Sequence, residues 1–342
     1  MVTIKDIARE GGVSVSTVSR ALAESPLLPK STCVKIKEIA NRLGYVKNEA
    51  ASSLKTGVAQ TVGVLSFVDD ALGFSHHLFA GILEGFAKQM NANNYEIFLL
   101  SKDSKEDGEQ LISSLRSRNL SGVLILCGFL QSEKIQKLIQ SDIPTVIIDG
   151  FDDIMSEMTH YVSSTNDKGM YALTKEILHK GHKNIAYVCG EDYYVTHERI
   201  KGFKRALAEY DVPFNKDMLV QGYYYKLPFV QSVVEQLLAR ENPPTCIVLP
   251  DDYCAVSAYE ILRKMGYTIG KDISIAGFDG LEIGKHMQPR LTTVNQNVRE
   301  LGGRAAKTLL ASIKGETLPY MQLVDTQLEI GGSICDLMKC NR

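Results

Sequence analysis

Apolar residues between Thr3 and Tyr45 recur at helical spacing in three short runs: Ile4, Ile7 and Ala8; Val18 and Leu22; and Ile36, Ile39, Ala40 and Leu43. Polar and glycine signals bracket each run. Thr3 followed by Asp6 reads as a variant capping box, Gly11-Gly12 as a stop, and Ser14 as the N-cap of the second helix. Pro26 and Pro29 break the chain before the third helix, and Gly44 ends it. From Thr61 the pattern changes to apolar runs alternating with amphipathic stretches. Strands are predicted at Val62–Phe67, Ile97–Leu100, Val123–Cys127, Thr145–Ile148, Asn184–Cys189, Cys246–Leu249 and Ile273–Gly277. Helices are predicted at Leu78–Asn91, Gly108–Arg116, Lys168–Lys180 and Glu198–Tyr210, among others. Repeated strand–helix units imply parallel sheets covered on both faces, and so many strands imply two such lobes. Ligands of these sheets sit at the carboxyl ends of the strands.

Two short helices around a glycine turn form a helix-turn-helix pattern, whose second helix enters the major groove by its first turn. That turn carries Val15, Ser16 and Thr17, with Ser19 and Arg20 one turn later. Arginine suits guanine O6 and N7, valine a thymine methyl, and serine or threonine a base or phosphate. The same residues could instead only coat a helical hairpin.

Charge favours the first reading. Residues 1–60 carry nine Lys/Arg against five Asp/Glu, a net +4, so the remainder carries −6 of the overall −2. A basic module on an acidic body suits a nucleic-acid partner for the module alone. Hydrophobic residues make up 44% of the 342-residue chain, with no apolar run of membrane-spanning length and no secretory profile at the start, so a cytoplasmic protein without a membrane partner is expected. The seven cysteines are scattered, without a Cys-x-x-Cys pair, and read as free thiols of a reducing compartment.

The residues Thr3-Ile4-Lys5-Asp6-Ile7-Ala8-Arg9-Glu10-Gly11-Gly12-Val13-Ser14, then Ser16-Thr17-Val18-Ser19-Arg20 and Arg42-Leu43-Gly44-Tyr45, resemble the headpiece of the lactose-repressor (LacI/GalR) family. Asn48-Glu49-Ala50-Ala51-Ser52-Ser53-Leu54 resembles its hinge element, with Ser52 where an arginine is usual. The resemblance implies DNA contacts from Thr3, Val15, Ser16, Thr17, Ser19, Arg20, Tyr45, Asn48, Ser53, Leu54 and Lys55, with Leu54 as a wedge in a minor-groove step. It also implies an all-α helix-turn-helix headpiece (1–47), a hinge and linker (48–60) and an α/β, two-lobed, type I periplasmic-binding-protein-like core (61–342) with three crossovers. The N-lobe would take about 61–161 and 291–322, and the C-lobe about 162–290 and 323–342.

By the same resemblance the cleft loops would place Phe74, Asp149, Arg199, Tyr224, Asp251 and Asp279 around a small effector, a sugar or sugar phosphate, with no further cofactor and no metal. Acidic side chains grip hydroxyls and aromatic faces cover a ring. Departures stand at Asp251-Asp252, where the family has Asn-Asp, at Asp149-Gly150, and at Leu72-Gly73-Phe74-Ser75. Strand-end carboxylates can equally cap the helices that follow them. His179 and His182 could share a metal, or lie near the end of a helix stopped by Gly181. Tyr223-Tyr224-Tyr225 reads as packing with one ring toward the cleft, Gly302-Gly303 as a helix contact, and Gly331-Gly332 as a tight turn. The expected function is a homodimeric regulator, a repressor, on a pseudo-palindromic operator. The alternatives are the same regulator under a protein corepressor, a solute-binding protein, or a doubly wound enzyme, for which no P-loop, Gly-x-Gly-x-x-Gly or Gly-x-Ser-x-Gly motif speaks.

Overall fold

The computed structural model describes residues 2–45, 60–66, 77–101, 107–126, 130, 132–151 and 156–340. The chain divides into two compact units, Met1–Ala59 and Gln60–Arg342.

The first unit consists of α1 (Ile4–Gly11), α2 (Val15–Leu22) and α3 (Lys30–Arg42). Thr3 and Asp6 close the capping box of α1, the Thr3 N–H donating to Asp6 Oδ2 at 3.0 Å. Gly12 ends α1 at φ 63°, a conformation that an L side chain resists. Ser14 Oγ caps α2 by accepting from the Thr17 N–H at 3.1 Å. Ile7, Val18, Ala21 and Ile36 are sealed at its centre, with Ile39 and Ala40 beside them.

The second unit begins with β1 (Thr61–Ser66), α4 (His77–Ala92), β2 (Glu96–Ser101), α5 (Gly108–Ser117), β3 (Gly122–Leu126), α6 (Glu133–Ile139), β4 (Thr145–Ile148) and β5 (Thr159–Ser164). It crosses to α7 (Asn166–His179), β6 (Ile185–Cys189), α8 (Tyr194–Glu209), β7 (Leu219–Gln221), α9 (Leu227–Leu238), β8 (Cys246–Val248), α10 (Asp252–Lys264), β9 (Ser274–Ala276), α11 (Glu282–Lys285) and β10 (Thr293–Asn295). The return is α12 (Val298–Ile313) and β11 (Met321–Val324), after which β12 (Gln327–Glu329) and α13 (Leu337–Cys340) close the chain. Two parallel sheets result, of order β11-β5-β4-β3-β1-β2 and β7-β6-β8-β9, with β10 and β12 as an antiparallel pair.

Each sheet is covered on both faces. In the N-lobe, α4 and α12 bury Ile82, Phe86, Leu301 and Leu309 on one side, while α5 and α6 bury Leu111, Leu115, Ile135 and Leu138 on the other. In the C-lobe, α9 and α10 cover one face and α7 and α8 the other. Gly302 is a helix contact: a Cβ there would stand 1.9 Å from the Ile82 carbonyl oxygen, and one at Gly85 would stand 2.0 Å from that of Arg299.

The strand pairing shifts the lobe boundaries by a few residues. β5 pairs with β4 through Val162 and with β11 through Ser164, so the N-lobe sheet runs past residue 161 and past residue 322 to Val324. Thr292 and Asn295 bridge to Ala276 and Asp279, so the segment from 291 stays with the C-lobe until α12. The crossings lie side by side, with Thr165 and Thr326 hydroxyls 3.1 Å apart and Ser164 Oγ donating to the Gln296 carbonyl at 3.4 Å. No helix among the described residues is long and apolar enough to cross a membrane.

Candidate functional site

The headpiece presents Val15, Ser16 and Arg20 on one exposed surface of α2, with Thr17 and Ser19 half-buried beside them. Alternation of these residues with buried Val18 and Ala21 is what orients the face: one side of α2 is held by the core, so the other must point outward. Ser16 Oγ and Thr17 Oγ1 lie 2.8 and 2.9 Å from Ser14 Oγ, so the polar part of the surface is already ordered. Thr3 bonds Asp6 through both its N–H and its hydroxyl, the latter at 2.7 Å. Tyr45 is half-buried against the headpiece core. Asn48, Ser53, Leu54, Lys55 and Phe74, the other residues expected at the two sites, lie outside the described residues.

Between the lobes, the strand ends bring Asp149, Arg199, Tyr224, Asp251 and Asp279 together, and the bonds among them form a continuous chain. Asp149 follows β4 at φ 55° and accepts from Ser163 Oγ at 2.7 Å. Asn166 Nδ2 donates to that same Ser163 Oγ at 3.3 Å and to the Ser164 carbonyl at 3.1 Å. Its other amide atom, Oδ1, accepts from Arg199 Nε at 2.8 Å. Arg199, on α8, is 3% exposed; its Nη1 donates to the Pro250 carbonyl at 3.0 Å and its Nη2 stands 3.9 Å from Asp279 Oδ1. The guanidinium lies 3.7 Å from the Phe278 ring centroid and 5.5 Å from that of Tyr224. Asp279 completes the chain by accepting from Gln296 Nε2 at 2.6 Å and from the Tyr225 hydroxyl.

Burial dominates the electrostatics. It raises the carboxyls of Asp149 and Asp251, and raises Asp252 well above the usual aspartate range. Asp279 is pushed up to about 7, burial outweighing the opposing pull of Arg199. The two consecutive aspartates have structural duties. Asp251 caps α10, its Oδ1 accepting from the Cys254 N–H at 2.8 Å and its Oδ2 from the Tyr225 N–H at 2.8 Å. Asp252 accepts from Thr293 Oγ1 at 2.5 Å and from the Leu281 N–H at 2.7 Å, pinning the loop after β9.

Two of the three consecutive tyrosines, not one, reach this network. Tyr224 places its hydroxyl 2.8 Å from Thr196 Oγ1 and its ring parallel to Tyr193, with centroids 6.4 Å apart. Tyr225 turns its hydroxyl to Asp279 from a backbone at φ 57°, while Tyr223 is 41% exposed against Phe229. Ring contacts also join the lobes: Phe151 lies 5.6 Å from Tyr194, and His77 lies 5.3 Å from Tyr253.

Sequence reasoning missed Ser163, Asn166, Thr196 and Tyr225. Ser163 and Asn166 flank the first crossing, and a polar pair at a predicted lobe boundary was the available signal. The two histidines do not converge. His182 is buried past the helix end, its Nδ1 2.8 Å from Thr245 Oγ1 and its Nε2 3.0 Å from the Cys335 carbonyl, while His179 contacts Tyr210. No His/Cys/Asp/Glu group able to hold a metal occurs among the described residues.

Comparison with known proteins follows the same division. Residues 3–48 match the lacI family of bacterial regulatory proteins, and residues 174–334 match the periplasmic binding protein-like domain. The chain is 30% identical to the HTH-type transcriptional repressor PurR of Vibrio parahaemolyticus, over 92% of each chain. Among solved structures it is similar to the transcriptional regulator CelR–cellobiose complex, with 25% identity, a TM-score of 0.73 and coverage of 97% of this chain and 100% of that one. It is also similar to a ribose-bound LacI family regulator from Enterococcus faecium, with 26% identity, a TM-score of 0.69 and coverage of 81% and 99%. With a helix-turn-helix at its start and a two-lobed periplasmic-binding-protein-like core behind it, the chain belongs to the LacI family of transcriptional regulators.

Proposed function

We propose that this chain is a homodimeric repressor that reads a pseudo-palindromic operator and is switched by a small polyhydroxylated effector held between the lobes. The observation that carries the effector reading is the bonded chain from Asp149 through Arg199 to Asp279. Acceptors and donors alternate along it at the carboxyl ends of parallel strands, with Tyr224 beside them, which is the chemistry a polyol needs in a buried site. The cellobiose- and ribose-bound relatives support a carbohydrate.

Dimerisation is supported by the edge strand β2, where Phe98 and Leu99 are 48% and 51% exposed at the end of the N-lobe sheet. An apolar sheet edge of this kind calls for a partner, and one small headpiece alone contacts too few phosphates for tight specific binding. Asn48, Ser53, Leu54 and Lys55 belong to the same reading as hinge contacts to DNA, with Leu54 as the wedge.

The DNA half is tested by operator selection followed by binding assays on the wild type and Arg20→Ala. The variant is expected to lose about 1–3 kcal/mol and to relax base choice at one position of each half-site. An equal loss on every sequence would make Arg20 a phosphate contact and overturn its role as a reader. Calorimetric titration of a saccharide panel tests the effector half, and binding of a partner protein with no response to any saccharide would replace the effector by a corepressor.

A further inference from the structure

The cleft as an effector site, the reading on which this inference rests, has a charge balance that narrows the ligand. Asp149, Asp251, Asp252 and Asp279 are all buried there, burial keeping a proton on Asp252 and, below about pH 7, on Asp279, and the one buried cation among the described residues is Arg199. Arg199 is also largely committed. Its Nε and Nη1 bond Asn166 and Pro250, its Nη2 faces Asp279, and Phe278 covers one face of the guanidinium.

A second feature bears on the same point independently. The N-terminus of α10 opens at the carboxyl end of β8, the place in such a fold where backbone N–H groups and the helix dipole would receive an anion. Here that place is taken by the protein's own carboxylate. Asp251 Oδ1 accepts from the Cys254 N–H at 2.8 Å, and its Oδ2 accepts from the Tyr225 N–H and from Cys254 Sγ. A phosphate brought to this end of the cleft would meet the Asp251 carboxylate in place of free amides, and above about pH 7 the ionised Asp279 as well. Like charges placed together in a desolvated site repel strongly. A sugar hydroxyl meets no such penalty, because it is neutral and can donate to a carboxylate or accept from a protonated carboxyl.

We infer that the effector offers hydroxyl groups and no anionic group, so that of the sugar and sugar-phosphate classes the site takes the sugar and rejects its phosphate.

The test is calorimetric titration of the full-length chain with matched pairs: glucose and glucose 6-phosphate, ribose and ribose 5-phosphate, cellobiose and its 6-phosphate. For whichever sugar binds, the phosphorylated partner is expected to bind at least about 100-fold more weakly. Asn is as good an N-cap as Asp, so Asp251→Asn keeps α10 capped while removing the charge. The gap between the members of the pair is then expected to narrow by about tenfold or more. Equal or tighter binding of the phosphorylated member to the wild type overturns the inference, and a gap unaltered in Asp251→Asn overturns the part assigned to that carboxylate. Binding of no saccharide of either kind would instead overturn the carbohydrate reading itself.

Discussion

Asp279→Asn isolates the electrostatic cost built into the cleft. Asp279 is 4% exposed and its carboxyl is pushed up to about 7, with burial as the largest cause. In the unfolded chain an aspartate titrates near 3.9. Below about pH 4 the group is protonated in both states and costs nothing. As pH rises toward 7 the unfolded chain releases its proton while the folded protein keeps it, so stability falls over that window and is constant above it. A difference of about three units corresponds to on the order of 4 kcal/mol. The asparagine cannot ionise, and its Oδ1 can accept from Gln296 Nε2 while its Nδ2 donates to the Tyr225 hydroxyl oxygen, so both partners keep a bond. The assay is thermal unfolding of both proteins by circular dichroism from pH 4 to 8.5. Exposed carboxylates held low by a partner, such as Glu24 by Lys37 and Asp142 by Arg116, act in the opposite direction but equally in both proteins. The variant is expected to gain on the wild type as pH rises from about 4 to about 7, at about 2–4 °C per kcal/mol, and to hold that lead above 7. A difference that stays flat with pH would refute the reasoning, because the carboxyl would then ionise as readily in the cleft as in water.

Three further outcomes follow from the packing. Gly302→Ala forces α12 off α4 and is expected to cost at least about 1–3 kcal/mol in urea unfolding, whereas Gly303→Ala, whose Cβ would meet nothing nearer than 3.8 Å, stays within about 0.5 kcal/mol; equal effects would mean the helices do not meet at Gly302. Ser14→Ala removes the cap of α2 and is expected to destabilise the headpiece by about 1 kcal/mol, measured by hydrogen exchange of the amides of residues 15–22; unchanged protection there would show the cap to be idle. His182 is buried and titrates below the ordinary histidine range, burial being the largest cause. Its contribution is therefore present above about pH 6.5 and declines as the solution is acidified. Since its ring bonds the Cys335 carbonyl, proteolysis near residues 327–340 is expected to speed up on acidification in the wild type, and a His182→Gln variant cut at the same rate at all pH values would support the assignment, whereas one that still speeds up would refute it.

The long elements were legible in the sequence because burial imposes a period on them. Seven strands and four helices expected from apolar runs occur within about two residues of their predicted bounds in most cases, with Tyr194–Glu209 starting earlier than Glu198. β5 was not legible. Thr159, His160, Ser163 and Ser164 make it polar, yet all six of its residues are buried. Burial of three of them is tolerable because partners are provided: Thr159 Oγ1 donates to the Ile139 carbonyl, Ser163 to Asp149 and Ser164 to the Gln296 carbonyl. Hydropathy cannot register a strand whose side chains are satisfied by atoms distant in sequence. The strands β7, β10 and β12 are as short as β8 and β9 but lack the apolar run that marks those two, since Gln221, Thr293, Asn295, Gln327 and Glu329 interrupt them.

The cleft shows the same limit from another side. Asp149, Arg199, Tyr224 and Asp279 could be named from a pattern of loop positions, but the atoms that decide what each can do come from the crossings between lobes. Ser163 lies on the N-lobe side of the first crossing and Asn166 on the C-lobe side, and the two bond each other between Asp149 and Arg199. Gln296 holds Asp279 from the second crossing, where its own carbonyl accepts from Ser164. The side chains proposed to grip an effector and the hydrogen bonds at the crossings therefore share atoms. If the lobes turn about these crossings, the Ser163–Asn166 and Ser164–Gln296 bonds lie where the turn occurs, and a ligand replacing either partner would change its cost. Such a difference is what a ligand-driven switch requires, and the crossings would supply it if the proposed effector binds where they pass.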